Sequence, residues 1–418
     1  MDYFEYRQGE LWAEGVRVRE LAERFGTPLY IYSQKTIQRH YAAFDRALEQ
    51  LDHLTCFSVK ANSNVNLLRL LGGLGAGVDI VSGGELHRAL AAGIDPMKIV
   101  FSGVGKQAHE IRQALAADIL MFNVESVQEL ESIGKIAAEM NKTARISIRI
   151  NPDVDPKTHP YISTGLKENK FGLDMLEATG AYLMAKNYPF LDPVGMDCHI
   201  GSQLTQIGPF VEALEKLLDY ADRLKSSGVT IRYLDLGGGL GITYDEEEPP
   251  LPADLGRAIG DALAARDLTV ILEPGRAIAG NAGILVTRVL YLKINGTKNF
   301  VIVDAAMNDL VRPALYGAFH RIAEVTPRGR PSKKVDVVGP ICESADFLAQ
   351  DRLLPGLQPG EHLAVFSAGA YGFSMSSQYN SRLRAAEVLV DGDHTTLVRR
   401  RETYEDLIAL EIQAAEEK

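Results

Sequence analysis

Hydrophobic positions follow two patterns along the chain. From about residue 34 to 276, short apolar runs rich in β-branched residues alternate with segments where leucine and alanine recur at helical spacing. The runs are 55–60, 77–81, 98–102, 119–124, 145–150, 194–200, 231–236 and 269–273, and 83–92, 107–117, 126–140 and 209–226 between them read as helices. Eight strands separated by helices predict an α/β fold, a closed (β/α)8 barrel; an open doubly wound sheet is the alternative. The barrel is favoured because the residues of interest fall after many different strands, not at one switch point. Residues 284–304, 334–342, 361–368 and 385–399 read instead as short strands with turns between them, and the early run Pro28–Tyr32 is a candidate to join that sheet. The expected organisation is a barrel over 34–276 and a second, mainly β-sheet domain, sandwich- or barrel-like, from 1–33 plus 277–418. Segment 151–172 is rich in Asn, Asp, Pro, Thr and Gly, too long for a routine strand-to-helix loop, and expected to cover the barrel mouth.

Composition narrows the function classes. A chain of 418 residues exceeds what one core usually serves, which agrees with two domains. The net charge of −11, with no basic block, argues against a nucleic-acid surface. The N-terminal residues lack a signal-peptide pattern, and no apolar stretch is long enough to span a bilayer. Cys56, Cys198 and Cys342 are too far apart to suggest a disulfide framework or a metal pair, and the nine histidines show no zinc-helix spacing, so no metal site and a reducing cytoplasm are expected.

The candidate chemistry gathers at strand ends. Lys60 closes the run Thr55–Lys60 and is followed by Ala61-Asn62-Ser63-Asn64. An amine held there, partly desolvated, is a candidate Schiff-base former, although a surface lysine ending a strand fits the same run. After the seventh run comes Asp235-Leu236-Gly237-Gly238-Gly239-Leu240-Gly241, and after the eighth Glu273-Pro274-Gly275-Arg276. Successive glycines let backbone amides approach an anion, and the last two loops of such barrels are a usual phosphate site. The glycine run fits neither a dinucleotide fingerprint nor a P-loop, and a tight turn needing positive φ is the plain alternative, but matching features in the last two loops favour phosphate binding. His199, in Asp197-Cys198-His199-Ile200-Gly201-Ser202-Gln203, ends the sixth run; it reads equally as a structural histidine or a catalyst. Glu273 ends an apolar run, where a carboxylate could keep a heteroaromatic nitrogen protonated.

Together these elements resemble the fold-type III pyridoxal-phosphate enzymes, the alanine racemase-like barrels, and within them the diaminopimelate and ornithine decarboxylase group. The segments His159–Gly165, Arg312-Pro313-Ala314-Leu315-Tyr316, Gly339–Ser344 and Gly369–Met375 look like the diaminopimelate branch in particular. The one departure is Leu383 and Ala385, where prolines are common in the group. The resemblance implies decarboxylation of meso-2,6-diaminopimelate to L-lysine, the last step of lysine biosynthesis, with pyridoxal 5'-phosphate as cofactor. It implies that Lys60 holds the cofactor, His199 stacks on its ring and Glu273 pairs with its nitrogen. Ser202, Gly237, Gly238, Gly239, Gly275 and Arg276 then surround the phosphate, with Arg276 also facing substrate. Arg312, Tyr316 and Glu343 bind substrate, Cys342 donates a proton, and Tyr371 touches cofactor and substrate. It further implies a homodimer whose active sites are shared between subunits.

The competing readings are an ornithine, arginine or carboxynorspermidine decarboxylase on the same scaffold, an amino acid racemase, and a catalytically silent pyridoxal-phosphate-binding homologue. Arginine recognises a carboxylate bidentately, and an ornithine-type substrate would leave such an arginine unpaired, so Arg312 favours the diaminopimelate reading. Lys60 and Cys342 are both present, which argues against a silent homologue.

Overall fold

The computed structural model describes residues 2–155 and 170–416. The part of the expected mouth-covering segment from 156 to 169, with the His159–Gly165 motif, lies outside the described residues. The chain divides into two compact units, one of residues 38–243 and 247–277 and the other of 2–37, 244–246 and 278–416.

In the first unit eight parallel strands close into a barrel: His53–Ser58, Gly77–Ile80, Ile99–Phe101, Met121–Val124, Ala144–Arg149, Leu191–Asp197, Tyr233–Asp235 and Thr269–Leu272. The last strand pairs with the first, Val270 opposite His53 and Leu272 opposite Thr55, so no edge remains. The strands are short and nearly all buried because side chains fill the barrel inside and helices cover it outside. Local chemistry sets the helix ends. Ser82 and Ser126 cap the helices Gly83–Ala91 and Val127–Met140 by accepting from the amides of Glu85 and Glu129, the Ser-x-x-Glu pattern visible in the sequence. Asp118 and Asn141, in left-handed conformation, end Ala108–Ala117 and Val127–Met140. Glycines permit close helix approach: a Cβ on Gly256 of helix Pro252–Ala264 would stand 2.1 Å from the carbonyl oxygen of Ala47, which ends helix Gln34–Ala47.

The second unit is built on strand Leu29–Ser33, buried at all five residues. It pairs antiparallel with Gly283–Asn295 and parallel with Ala386–Asp391, so Pro28–Tyr32 contributes to the sheet centre. Lys298–Val303, Ser332–Val338, Phe347–Pro355 and His394–Arg399 extend this sheet, and His362–Val365 pairs with Gly283–Asn295 and with Ile322–Glu324. Three elements lie outside the sequence expectation. Phe347–Pro355 carries charge at its centre, Ile322–Glu324 is three residues long, and the small sheet Phe4–Arg7, Glu10–Ala13, Val16–Arg17 has strands too short for a clear alternation. That small sheet is nonetheless part of the core, where Phe4, Leu11 and Ala13 cluster with Leu21, Ile31, Ile284 and Val388.

Gly256→Ala is expected to lower unfolding free energy by about 1–3 kcal/mol in urea denaturation, because the obstructing atom is backbone and the helices must separate. An unchanged midpoint would show that the two helices part without cost.

Candidate active site

The carboxyl end of the barrel brings the first-strand lysine to an acid of the second strand. The first ladder ends at Ser58, not at Lys60: the Ser58 amide bonds to the Pro274 carbonyl and Val59–Ala61 forms one 3-10 turn. Lys60 therefore projects from a turn. Its Nζ donates to Asp79 Oδ2 at 2.8 Å, and its side chain keeps 39% exposure while Asp79 is fully buried. Ser58 Oγ donates to the same Oδ2 at 2.8 Å and also lies 3.1 Å from the Glu273 carbonyl. Asp79 thus orients the amine, while part of the lysine side chain stays exposed.

His199 and the glycine loop are locked together. The Gly238 amide donates to His199 Nδ1 at 3.2 Å, which leaves the ring hydrogen of the neutral form on Nε2. Burial, then the nearby Arg149 and Lys60 charges, hold the imidazole pKa well below its usual value, so the ring is neutral. Gly237 and Gly239 have φ of +65° and +115°, which favour glycine. A Cβ on Gly238 would stand 2.3 Å from the Glu273 carbonyl oxygen, and one on Gly239 2.3 Å from that of Gly201. The loop after the sixth strand is knitted to this turn by Leu204 N–H donating to the Gly239 carbonyl and by Gln203, whose amide group bonds both backbone atoms of Ile242. Ser202 lies in that same loop, partly buried. Gly275 packs against Ser58 and Ala61, where a Cβ would come within 2.9 Å of both side chains, and Arg276 begins the short helix Arg276–Ala279.

Electrostatically the mouth is acidic. Asp79, Asp197, Asp235 and Glu273 are buried, and Glu125 and Arg149 are buried beside them. Arg149 Nη1 donates to Glu125 Oε1 at 2.9 Å, and its Nε lies 3.8 Å from Asp197 Oδ2. Asp235 accepts from the Gly237 amide and from Asn123 Nδ2, yet burial still pushes its carboxyl up to about 7. Glu273 is pushed well above the carboxylate range by burial and then by Asp235, Asp79 and Asp197, with Lys60 opposing. A cation placed beside Glu273 would reverse that shift. An amine, a buried carboxylate that gains from a cation, and a turn with no room for Cβ atoms form a donor set that fits pyridoxal 5'-phosphate.

The remaining sequence candidates belong to the second unit. Arg312 opens the short helix Arg312–Tyr316 and is buried; its Nη1 lies 2.8 Å from His320 Nε2 and its guanidinium 4.7 Å from the Tyr244 ring centre. Tyr316 ends that helix, partly exposed. Cys342 and Glu343 are exposed on the loop after Ser332–Val338, where Asp346 accepts from the Ile341 and Met307 amides at 2.7 Å each and Asn380 accepts from the Cys342 amide. Tyr371 is held at φ +55°, an uncommon conformation for an aromatic residue and a mark of local constraint.

Sequence reasoning passed over Asp79, Glu125, Arg149 and Asp197 as site residues, and His320 and Asp346 in the second unit. The signal existed for the barrel set: each stands in or directly after an apolar run (GVDIV, FNVE, RISIRI, VGMDCHI), where a charged residue must face the barrel interior or its mouth.

Residues 34–280 match the family described as pyridoxal-dependent decarboxylase, pyridoxal binding domain. The chain is 58% identical to the diaminopimelate decarboxylase of Pseudomonas aeruginosa, covering 98% of each chain. It is 55% identical to that of Vibrio cholerae over 98% of this chain and 99% of the relative. The crystal structure of diaminopimelate decarboxylase from Helicobacter pylori complexed with L-lysine superposes with a TM-score of 0.92 at 48% identity, covering 95% of this chain and 99% of that one. On a barrel with an oriented lysine, a buried glutamate and a glycine cradle, likeness of this extent leaves one assignment: the chain belongs to the diaminopimelate decarboxylases, within the pyridoxal-dependent decarboxylase family.

Proposed function

We propose that this protein decarboxylates meso-2,6-diaminopimelate to L-lysine and carbon dioxide with pyridoxal 5'-phosphate as its cofactor. The reading is carried by the set Lys60, Asp79 and Glu273 at one barrel mouth, in a chain that matches a diaminopimelate decarboxylase along 98% of both lengths. When bound, the cofactor accepts the electron pair that loss of carbon dioxide leaves at Cα. Lys60 holds it through its amine, which Asp79 orients. Glu273 keeps a proton at the ring nitrogen, an ion pair strengthened by burial. Neutral His199 presents its ring face without adding a competing charge. Gly237, Gly238, Gly239 and Gly275 admit phosphate oxygens to the backbone amides, and Ser202 and Arg276 complete that cradle.

On the substrate side, Arg312 and Tyr316 take the carboxylate of the unreacted centre and Glu343 its ammonium. Arg276 and Tyr371 border the reacting centre, and Cys342 delivers a proton to Cα. We further propose a homodimer in which Cys342 and Glu343 of one subunit complete the barrel site of the other; their exposure on a loop pinned by Asp346 and Asn380 supports this. No helix among the described residues is long and apolar enough to cross a membrane, and all three cysteines are free, which supports the cytoplasm as its place of action. Carbon dioxide release from diaminopimelate, ornithine, arginine and lysine, compared side by side, tests the whole reading; preference for ornithine or arginine would replace it.

Lys60→Ala is expected to abolish the protein-bound visible absorption and nearly all turnover. Retention of both would remove Lys60 from the cofactor's attachment.

Arg312→Met is expected to raise the KM for diaminopimelate with cofactor content unchanged, costing about 3–5 kcal/mol in kcat/KM if the carboxylate is left buried and alone. An unaltered KM would mean that another group holds that carboxylate.

Mixing inactive Lys60→Ala subunits with inactive Cys342→Ala subunits is expected to restore activity to about a quarter of wild type. Random exchange makes about half the dimers hybrid, and one site of each hybrid is intact. Verified exchange without recovery would place Lys60 and Cys342 in a site built by a single chain.

A further inference from the structure

We propose, on the reading of Arg312 given above, that His320 is a positioning residue: a buried neutral imidazole that fixes Arg312 for the carboxylate of the unreacted centre. His320 has no exposed surface; its Nδ1 lies 2.8 Å from the Phe366 carbonyl oxygen and its Nε2 2.8 Å from Arg312 Nη1. A carbonyl oxygen can only accept and a guanidinium can only donate. The two contacts therefore place the ring hydrogen on Nδ1 and a lone pair on Nε2, so the imidazole accepts from Arg312. A protonated ring would turn a second N–H toward the guanidinium, losing that bond and opposing two cations.

The surroundings hold this arrangement. Arg352 Nη1 donates to the His320 carbonyl at 2.8 Å, the Phe366 amide donates to the Arg321 carbonyl, and the Arg321 guanidinium lies 3.5 Å from the Phe366 ring centre. Tyr244 meets the imidazole edge to face at 5.3 Å while the Arg312 guanidinium lies over its ring. Arg312, Arg321 and Arg352 are cations near His320 among the described residues, and Asp245, beside Tyr244, acts on Arg352. The choice of a neutral acceptor matters. A carboxylate in place of His320 would neutralise Arg312 and compete with the substrate's own carboxylate. An imidazole orders the long side chain in advance without itself adding a negative charge beside it.

The test is competitive inhibition of the holoenzyme by L-lysine, which carries the carboxylate of the unreacted centre, and by cadaverine, the same diamine chain without it. Arg312→Met serves as reference: it is expected to weaken L-lysine and spare cadaverine. His320→Asn keeps a donor for the Phe366 carbonyl and cannot reach Arg312; it is expected to weaken L-lysine about tenfold and to leave cadaverine and bound cofactor unchanged. His320→Gln, whose amide oxygen can take the place of Nε2, is expected to recover most of that loss. Adding His320→Asn to Arg312→Met is expected to cost nothing further, because the histidine acts through the arginine. His320→Ala carries the same test if the asparagine variant does not fold. Equal weakening of both ligands, an additive loss in the double variant, or unchanged L-lysine binding would overturn the role of His320. If Arg312→Met itself leaves L-lysine binding intact, the assignment of Arg312 falls instead.

Discussion

Burying negative charge inside a barrel is costly unless each carboxylate finds a donor or a cation, and at this barrel mouth that requirement organises everything near it. Asp79 takes Lys60 and Ser58, Asp235 takes the Gly237 amide and Asn123, and Glu125 takes Arg149 together with the amides of Gly103 and Gly172. The pKa of Glu273 is raised first by burial and then by the charges of Asp235, Asp79 and Asp197, which Lys60 only partly opposes, and that is its deficit. A cationic heteroaromatic ring placed beside Glu273, as proposed for the cofactor, would remove that deficit and would stabilise the folded barrel through mass action.

Most groups assigned to the cofactor and most of those assigned to substrate fall in different units and differ in how they are supported. Those assigned to the cofactor stand mostly at or just beyond strand ends, beside a glycine turn where backbone oxygens leave no room for Cβ atoms. Groups assigned to substrate sit in a short helix and a loop, and these need added fixation. Asp346 supplies it for the Cys342 loop by accepting two amides, and a Cβ on Gly339 would stand 2.6 Å from its Oδ2. The aromatic and imidazole groups behind Arg312 do the same for the guanidinium. In both places a buried polar side chain supports a group assigned to substrate, and neither support was visible from residue type alone.

Hydrophobic periodicity was enough to locate all eight barrel strands, because a strand covered on both faces must be apolar nearly throughout and the helices between carry the longer period. The place of Leu29–Ser33 in the second sheet was legible for the same reason. The strands of the N-terminal sheet and Ile322–Glu324 were not, since two to four residues give no period to read, and Phe347–Pro355 hides its strand under central charge. Lys60, His199, Glu273 and the glycine run stood out because polar or glycine residues end apolar runs. What tertiary structure alone decided is pairing: that Asp79, 19 positions from Lys60, receives its amine, that Gly238 fixes the tautomer of His199, and that a fully buried His320 backs Arg312. Residue identity fixes which groups can donate or accept, while the barrel's closure and the sheet's register fix which of them meet.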